Sequence, residues 1–169
     1  EELIFDGTEN AVERPKKADN QKGKYSGKKK THTDIALVLT DRRTWFYYVS
    51  MLYAGSQVDM GILKKEFPPH QGWFRLFKVL FDLGFIGVDK LYEFRELIIG
   101  FRKPRRSKKN PEPELTDAQK AYNKIVSSKR IYVEHAIGKM KIFRILKNRC
   151  RLKCADTKNK IIGVCAGLW

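Results

Sequence analysis

Short apolar blocks alternate along the chain with polar, basic and glycine-containing segments. Three of these blocks predict short buried strands, at residues 3–5, 78–81 and 97–101. Residues 33–40 and 44–53 are rich in β-branched, aromatic and aliphatic side chains, which favours two longer strands. The polar residues 41–43 between them predict a hairpin.

Helical signals lie between and after these strands. The shorter ones predict a helix at residues 59–66, a helical turn at 73–77, and a terminal helix or strand at 160–168. The longest helix is expected to begin at Thr116, a suitable N-cap, to be interrupted near Ser127, and to fade near Lys147. Residues 14–31 lack periodicity and are expected to form a mobile basic loop. This order of elements predicts a single α/β domain with a mixed sheet over residues 1–169.

The long helix carries a narrow stripe of charge. At about 100° per residue, Arg130, Glu134 and Lys141 fall within about 40° of one another. The neighbouring arc is apolar and consists of Val126, Val133, Ala136, Ile137 and Met140. Two interpretations remain open: a solvated face with ordinary ion pairs, or a charged stripe presented at the edge of a core.

Charge composition points to a polyanionic partner. The chain of 169 residues carries 35 Lys and Arg against 19 Asp and Glu, a net charge of +16. Such an excess indicates DNA or RNA as the first candidate partner and an anionic membrane surface as the weaker one. No apolar run is long enough to span a bilayer. The cysteines Cys150, Cys154 and Cys165 are too few for a disulfide framework, which favours unliganded thiols in a reducing cytosol.

Carboxylates supply the candidate chemistry. Asp6 and Asp82 each follow a predicted buried strand, so they converge at one sheet edge if those strands are neighbours. With Glu134 they form an oxygen donor set suited to Mg²⁺, and two such ions about 3.5–4 Å apart support in-line phosphoryl transfer. The alternative is that Asp6 and Asp82 are ordinary turn residues. Asp59 is the rival to Asp82 as the second aspartate. It ranks lower, because it begins a predicted helix and suits a structural role.

Several motifs together resemble one family. They are Asp6-Gly7-Thr8-Glu9, the basic segment 24–32, Gly55-Ser56-Gln57-Val58-Asp59, Asp82-Leu83-Gly84-Phe85, and Arg130-x3-Glu134-x6-Lys141. They resemble the catalytic domain of the DDE transposases of bacterial insertion sequences, in the insertion-sequence-five group and its Harbinger relatives. The chain departs from the family pattern at Ser127, where the signature has tyrosine, and at Val58, where histidine is frequent.

The resemblance implies a ribonuclease H-like fold, with a mixed sheet flanked by helices and the catalytic glutamate on a late long helix. It also implies Mg²⁺- or Mn²⁺-dependent cleavage of DNA at transposon ends, followed by transfer of the 3′-hydroxyl into target DNA. Asp6, Asp82 and Glu134 would hold two ions, while Arg130 and Lys141 would hold phosphates. Two alternatives remain: a transposase-derived DNA-binding domain without activity, and a stand-alone ribonuclease H-like nuclease.

The resemblance further implies DNA as the partner and a homodimer in the full-length protein. We expect a cytoplasmic bacterial protein that acts at the nucleoid, and a fragment that lacks an N-terminal DNA-binding module. The basic residues expected to neutralise phosphates are Lys16, Lys17, Lys28, Lys29, Lys30, Arg105, Arg106, Lys108 and Lys109. Core packing is expected for the aromatic residues Trp45, Tyr47 and Trp73.

Overall fold

The computed structural model describes residues 1–107 and 111–169. Within these residues the chain forms seven strands and five α-helices. The strands are β1 (Glu2–Ala11), β2 (Tyr25–Ser26), β3 (Thr31–Thr40), β4 (Phe46–Val49), β5 (Tyr53–Ala54), β6 (Lys78–Phe81) and β7 (Glu96–Ile99). The helices are α1 (Ala18–Lys24), α2 (Asp59–Glu66), α3 (Asp117–Met140), α4 (Arg144–Lys147) and α5 (Ala155–Gly167). Single 3₁₀ turns cover Pro69–Gln71, Leu83–Phe85 and Val88–Lys90.

All seven strands belong to one mixed sheet. Its order is β2-β3-β1-β6-β7, and β4 and β5 also pair with β3. β1 is antiparallel to β3 but parallel to β6, and β6 is parallel to β7. A mixed sheet of this kind with flanking helices is the expected ribonuclease H-like α/β fold.

The register of β1 against β6 sets the position of both aspartates. Ile4 lies opposite Leu80 in the parallel pairing. Asp6 and Asp82 each come two residues later, so they lie at the same level of the sheet. The predicted strand at residues 3–5 is too short, because β1 continues to Ala11 through its antiparallel pairing with β3. Asp6 therefore lies inside a strand, at the point where its parallel neighbour has ended.

Alternation along β1 divides the core into two layers. On one face, Phe5 stacks on Phe81 with ring centroids 4.9 Å apart, within a cluster that also includes Ile62 from α2. On the other face, Ile4 packs with Leu80 and with Val133 from α3. The sheet is therefore covered by α2 and aromatic loops on one side and by α3 on the other.

Helix α3 begins as its sequence predicts. Thr116 is the N-cap of a capping box, because its hydroxyl accepts a hydrogen bond from the Gln119 backbone and Gln119 bonds back to the Thr116 backbone. Val126, Val133, Ala136 and Met140 are buried on one stripe. The predicted interruption near Ser127 is wrong, since the helix runs unbroken from Asp117 to Met140. It ends before Lys147, which belongs to the separate helix α4.

Some local predictions are wrong. Residues 14–31 contain α1 and β2, because Gln21 ties α1 to the preceding turn by a 2.8 Å hydrogen bond from its Nε2 to the Pro15 carbonyl. Residues 73–77 form a turn instead of a helix. The aromatic residues expected in the core are exposed: Trp45 by 61%, Tyr47 by 46% and Trp73 by 41%.

The remaining expectations concern the chain's end and its cysteines. Residues 160–167 take the helical alternative as part of α5, and Leu168 is its C-cap. Within the described residues Cys150, Cys154 and Cys165 are free thiols. None of the helices in residues 1–107 and 111–169 is both long and apolar enough to cross a membrane.

Candidate active site

One arginine joins Asp6 of β1 to Asp82, the residue that follows β6. Arg130 of α3 donates a hydrogen bond from Nη1 to Asp82 Oδ1 at 2.7 Å, and its Nη2 lies 3.4 Å from Asp6 Oδ2. The Arg130 and Asp6 side chains are mostly buried, and that of Asp82 is one-third exposed. Two strands and the long helix therefore meet at a single guanidinium.

Local backbone contacts hold both aspartates in place. The amide of Gly7 donates to Asp6 Oδ1 at 2.8 Å. Asp82 precedes the 3₁₀ turn Leu83–Phe85, and its carbonyl accepts from the Phe85 amide at 3.0 Å. The turn starts as soon as β6 ends, so Asp82 lies at the open end of the sheet.

Asp59 is a third carboxylate in the same cleft. It is the first residue of α2, and it lies against the glycines that follow Asp6 and Asp82. A Cβ added to Gly7 would come within 2.8 Å of Asp59 Oδ1, and one added to Gly84 within 3.4 Å of Oδ2. These glycines therefore leave the room that the Asp59 carboxylate occupies.

Burial and mutual repulsion disturb the protonation of these carboxyl groups. Burial raises the pKa of Asp59 to about 6, and the negative charge of Asp6 adds to that increase. The positive charge of Lys28 acts in the opposite direction. Burial also raises the pKa of Asp6, against the lowering effect of Arg130. Crowded carboxylates of this kind are stabilised by a nearby cation.

Basic residues predicted to bind phosphates surround the carboxylates. Lys28 lines the same cleft as Asp6, Asp59 and Asp82. Lys29 and Lys30 are exposed on the same turn, and Lys30 takes a left-handed backbone conformation at φ 54°.

Lys141, the cap residue that follows α3, reaches β1 by another route. Its Nζ donates to the Glu9 carbonyl at 2.8 Å. Burial lowers the pKa of Lys141, and the positive charge of Lys29 lowers it further. Lys141 therefore binds the backbone three residues after Asp6, beside the cleft.

Glu134 is less closely placed. It is exposed and lies one helical turn after Arg130, on the same face of α3. In residues 1–107 and 111–169, no three His, Cys, Asp or Glu side chains are already arranged to hold a metal ion. Arg130 lies between Asp6 and Asp82 and contacts both carboxylates.

The donor chemistry nevertheless fits a hard divalent cation. Asp6, Asp82, Asp59 and Glu134 offer carboxylate oxygens, the donors that Mg²⁺ and Mn²⁺ prefer. Asp6 and Asp59 are partly desolvated acids, because burial raises the pKa of each carboxyl group. The Nε of Arg130 is buried without a hydrogen-bond partner in the described residues. Its guanidinium is thus held through its two terminal nitrogens.

Comparison with known proteins identifies the family. Residues 5–169 match the family model described as DDE superfamily endonuclease. This chain belongs to the DDE superfamily of endonucleases. It is 32% identical over 149 residues to a protein of Microchaete diplosiphon named "Probable transposase for insertion sequence element IS702". That match covers 88% of this chain and 49% of the relative, so the chain spans about half the length of that protein. No solved structure matches the chain.

The comparisons confirm the resemblance to DDE transposase domains. The DDE superfamily generally uses divalent metal ions. The structure brings together Asp6, Asp82, Asp59, Arg130 and Lys28. The family resemblance implied phosphate binding by Arg130. Its contacts with both aspartates were not predicted, because nothing in the motif spacing indicates them.

Other predicted DNA contacts lie elsewhere. Arg105 and Arg106 are exposed on the segment that follows β7. That segment starts beside α3, where Asn123 Oδ1 accepts from the Phe101 amide at 2.7 Å. Lys16 and Lys17 are exposed immediately before α1. Lys108 and Lys109 lie outside the described residues.

Proposed function

We propose that this chain is the catalytic domain of a transposase that cuts DNA at transposon ends and joins the freed 3′-hydroxyl to target DNA. The observation that carries the proposal is the convergence of Asp6 and Asp82 on Arg130. Two acids from separate strands meet there, on the face of α3 that also carries Glu134. The family match and the transposase relative support the same reaction class.

Each residue has a distinct role in this proposal. Asp6, Asp82 and Glu134 would hold two Mg²⁺ or Mn²⁺ ions, and Asp59 is the rival to Asp82. When bound, two such ions stabilise the attacking and leaving oxygens of an in-line displacement at phosphorus. Lys28 approaches the same cleft and would contact the phosphate backbone of the DNA end.

Arg130 and Lys141 would bind phosphates on either side of the carboxylates. The Arg130 guanidinium already lies between two acids, so it would move toward the DNA as cations replace it there. Lys141 is anchored at the Glu9 carbonyl, and an ammonium group held there would draw a phosphate toward β1. Both groups would orient the DNA without taking part in bond breaking.

Glu134→Gln tests the proposal directly. We expect the variant to lose Mg²⁺-dependent cleavage of a terminal-repeat oligonucleotide and to keep or increase its affinity for that DNA, because one negative charge near the backbone is removed. Glu93→Gln is the matched control, since Glu93 is exposed and pairs with Arg75 at a different cleft. Full cleavage by Glu134→Gln would overturn the assignment.

A strand-transfer assay separates transposition from simple nuclease activity. A pre-cleaved terminal-repeat duplex with a free 3′-hydroxyl is incubated with a target plasmid, and joined products are counted. Joined products support the transposase. Cleavage of an intact substrate without any joining would instead identify a stand-alone nuclease of the same fold.

A further inference from the structure

A second basic surface lies beside the candidate active site. It is a cleft between the segment that follows β1 and the residues that precede α5, and we call it the basic cleft. The cationic side chains that line it are Arg14, Lys16, Lys17, Lys24, Arg151, Lys153 and Lys158. Among the residues described as lining it, Glu13 is the one acid, and Arg151 pairs with it at 3.7 Å.

Backbone pairing fixes the two walls of the basic cleft. Val12 forms a parallel bridge with Cys150. The Cys150 amide donates to the Ala11 carbonyl at 2.8 Å, and the Glu13 amide donates to the Cys150 carbonyl at 3.2 Å. Cations that are far apart in sequence are therefore held around one space before any ligand binds.

Two of the lysines that line the basic cleft, Lys24 and Lys158, belong to a buried ion cluster. The Asp34 carboxylate, only 3% exposed, accepts hydrogen bonds from both Lys24 and Lys158. The Lys158 side chain is itself only 9% exposed. Two ammonium groups on one carboxylate leave a net positive charge, and charge in a buried position is screened weakly by salt.

One wall is also oriented by hydrogen bonds. Arg14 donates from Nε and Nη2 to Gln21 Oε1 at 3.1 and 2.9 Å. Gln21 in turn donates to the Pro15 carbonyl. The turn that carries Arg14 and Lys16 is thereby attached to α1, and fewer side-chain conformations are lost when an anion binds.

The basic cleft adjoins the carboxylate site. Lys24 ends α1, and the residues that follow it, Tyr25, Ser26 and Lys28, line the cleft that contains Asp6 and Asp82. The seven residues of α1 span about 10 Å. That length covers about three phosphates of one strand when it is measured along the axis of duplex DNA.

We propose that the basic cleft binds the phosphate backbone of duplex DNA next to the phosphate that is cut. The identity of the partner rests on the proposed function. An acidic protein segment is the competing occupant. DNA fits better because the cleft leads to Lys28 and the carboxylates, where a phosphodiester would react. The net charge of +16 also favours a long polyanion.

The test compares two double variants of the 169-residue chain. Lys16→Ala/Lys153→Ala removes one exposed cation from each wall of the basic cleft, and Lys64→Ala/Lys90→Ala removes two exposed cations elsewhere. Binding to a fluorescent duplex is measured by anisotropy across a salt series in EDTA, so that no cleavage occurs. We expect the slope of log K against log salt to fall by about 2 for the cleft variant, with at least roughly tenfold weaker binding near 0.1 M salt.

The control variant is expected to keep the slope and affinity of the native chain. Equal slopes for the two double variants would overturn the proposal. So would a cleft variant that loses binding to a poly-glutamate peptide but keeps its affinity for DNA. Because the assay contains no metal, a chain that binds through the basic cleft and never cuts DNA would contradict the proposed function while leaving this inference standing.

Discussion

Arg130 donates to Asp82 across 48 residues of sequence at 2.7 Å, and the same guanidinium contacts Asp6. The arginine thus compensates two acids that would otherwise repel each other in a partly buried site. A divalent cation bound at the same acids would also compensate their mutual repulsion. The metal-free protein and the metal-bound protein are therefore expected to differ in what Arg130 contacts.

Arg130→Gln tests this competition. In EDTA we expect the variant to lose about 1–3 kcal/mol of unfolding free energy, since charge-assisted hydrogen bonds to Asp82 and Asp6 are removed. Mg²⁺ is expected to raise its Tm more than it raises that of the native chain, because no guanidinium then competes for the acids. Thermal unfolding with and without Mg²⁺ measures both effects. Lys129→Gln is the control on the same helix, since Lys129 pairs instead with Glu2 at 3.5 Å. An equal gain from Mg²⁺ in both variants would refute the competition.

Single asparagine substitutions decide between Asp82 and Asp59. We expect Asp82→Asn to lose at least about 100-fold in cleavage rate and Asp59→Asn to lose less, within the roughly 10–100-fold that an outer-shell partner costs. Initial rates on a terminal-repeat oligonucleotide provide the comparison, with Asp89→Asn as an exposed control. An inactive Asp59→Asn beside an active Asp82→Asn would reverse the ranking.

The titration of Asp59 predicts a pH dependence of stability. Its folded pKa of about 6 lies above the ordinary value of 3.8. Between these two values the folded carboxyl group keeps a proton that the unfolded chain has released, so stability falls as pH rises through this window. Asp59→Asn is expected to decline less over that range and to be more stable than the native chain at pH 7. Urea unfolding in EDTA at a series of pH values measures this. Parallel curves for the two proteins would contradict it.

Gly55 is expected to be intolerant of any side chain. A Cβ there would lie 2.0 Å from Thr33 Oγ1 and 2.7 Å from the Thr33 carbonyl oxygen. The backbone at Thr33 is held by the pairing of β3 with β1, where Thr33 lies opposite Ala11. We expect Gly55→Ala to cost about 1–3 kcal/mol, as overpacking does. Gly23→Ala is the control, because nothing lies within 4 Å of its added Cβ and it is helical. That variant should gain about 0.5–1 kcal/mol, and urea unfolding of both variants tests the contrast.

Local signals in the sequence identified the elements well. Thr116 and Gln119 form the capping box that starts α3, and residues 59–66 form the expected short helix. These features depend on neighbours within a few residues, so the sequence contains what decides them. The interruption near Ser127 failed because the apolar stripe of α3 packs along the sheet and overrides the weak helix propensity of serine.

Contacts distant in sequence account for most of what was missed. The exposure of Trp45 depends on its position at the end of the β3–β4 hairpin, where it lies near the guanidinium of Arg43. The contact of Arg130 with both aspartates depends on strand register and on the crossing of α3. Residue spacing indicates neither contact, whereas the prediction of Asp6, Asp82 and Glu134 as the site's acids rests on motifs.

The ion cluster at Asp34 has a consequence for how the domain unfolds. Its carboxylate connects α1, the central strand β3 and the terminal helix α5 through Lys24 and Lys158. Detaching α5 would break the buried contact between Lys158 and Asp34 and open the otherwise buried carboxylate to solvent. The terminal helix is therefore expected to open together with the sheet as one cooperative unit, with amide hydrogen exchange as slow as that of the central strands.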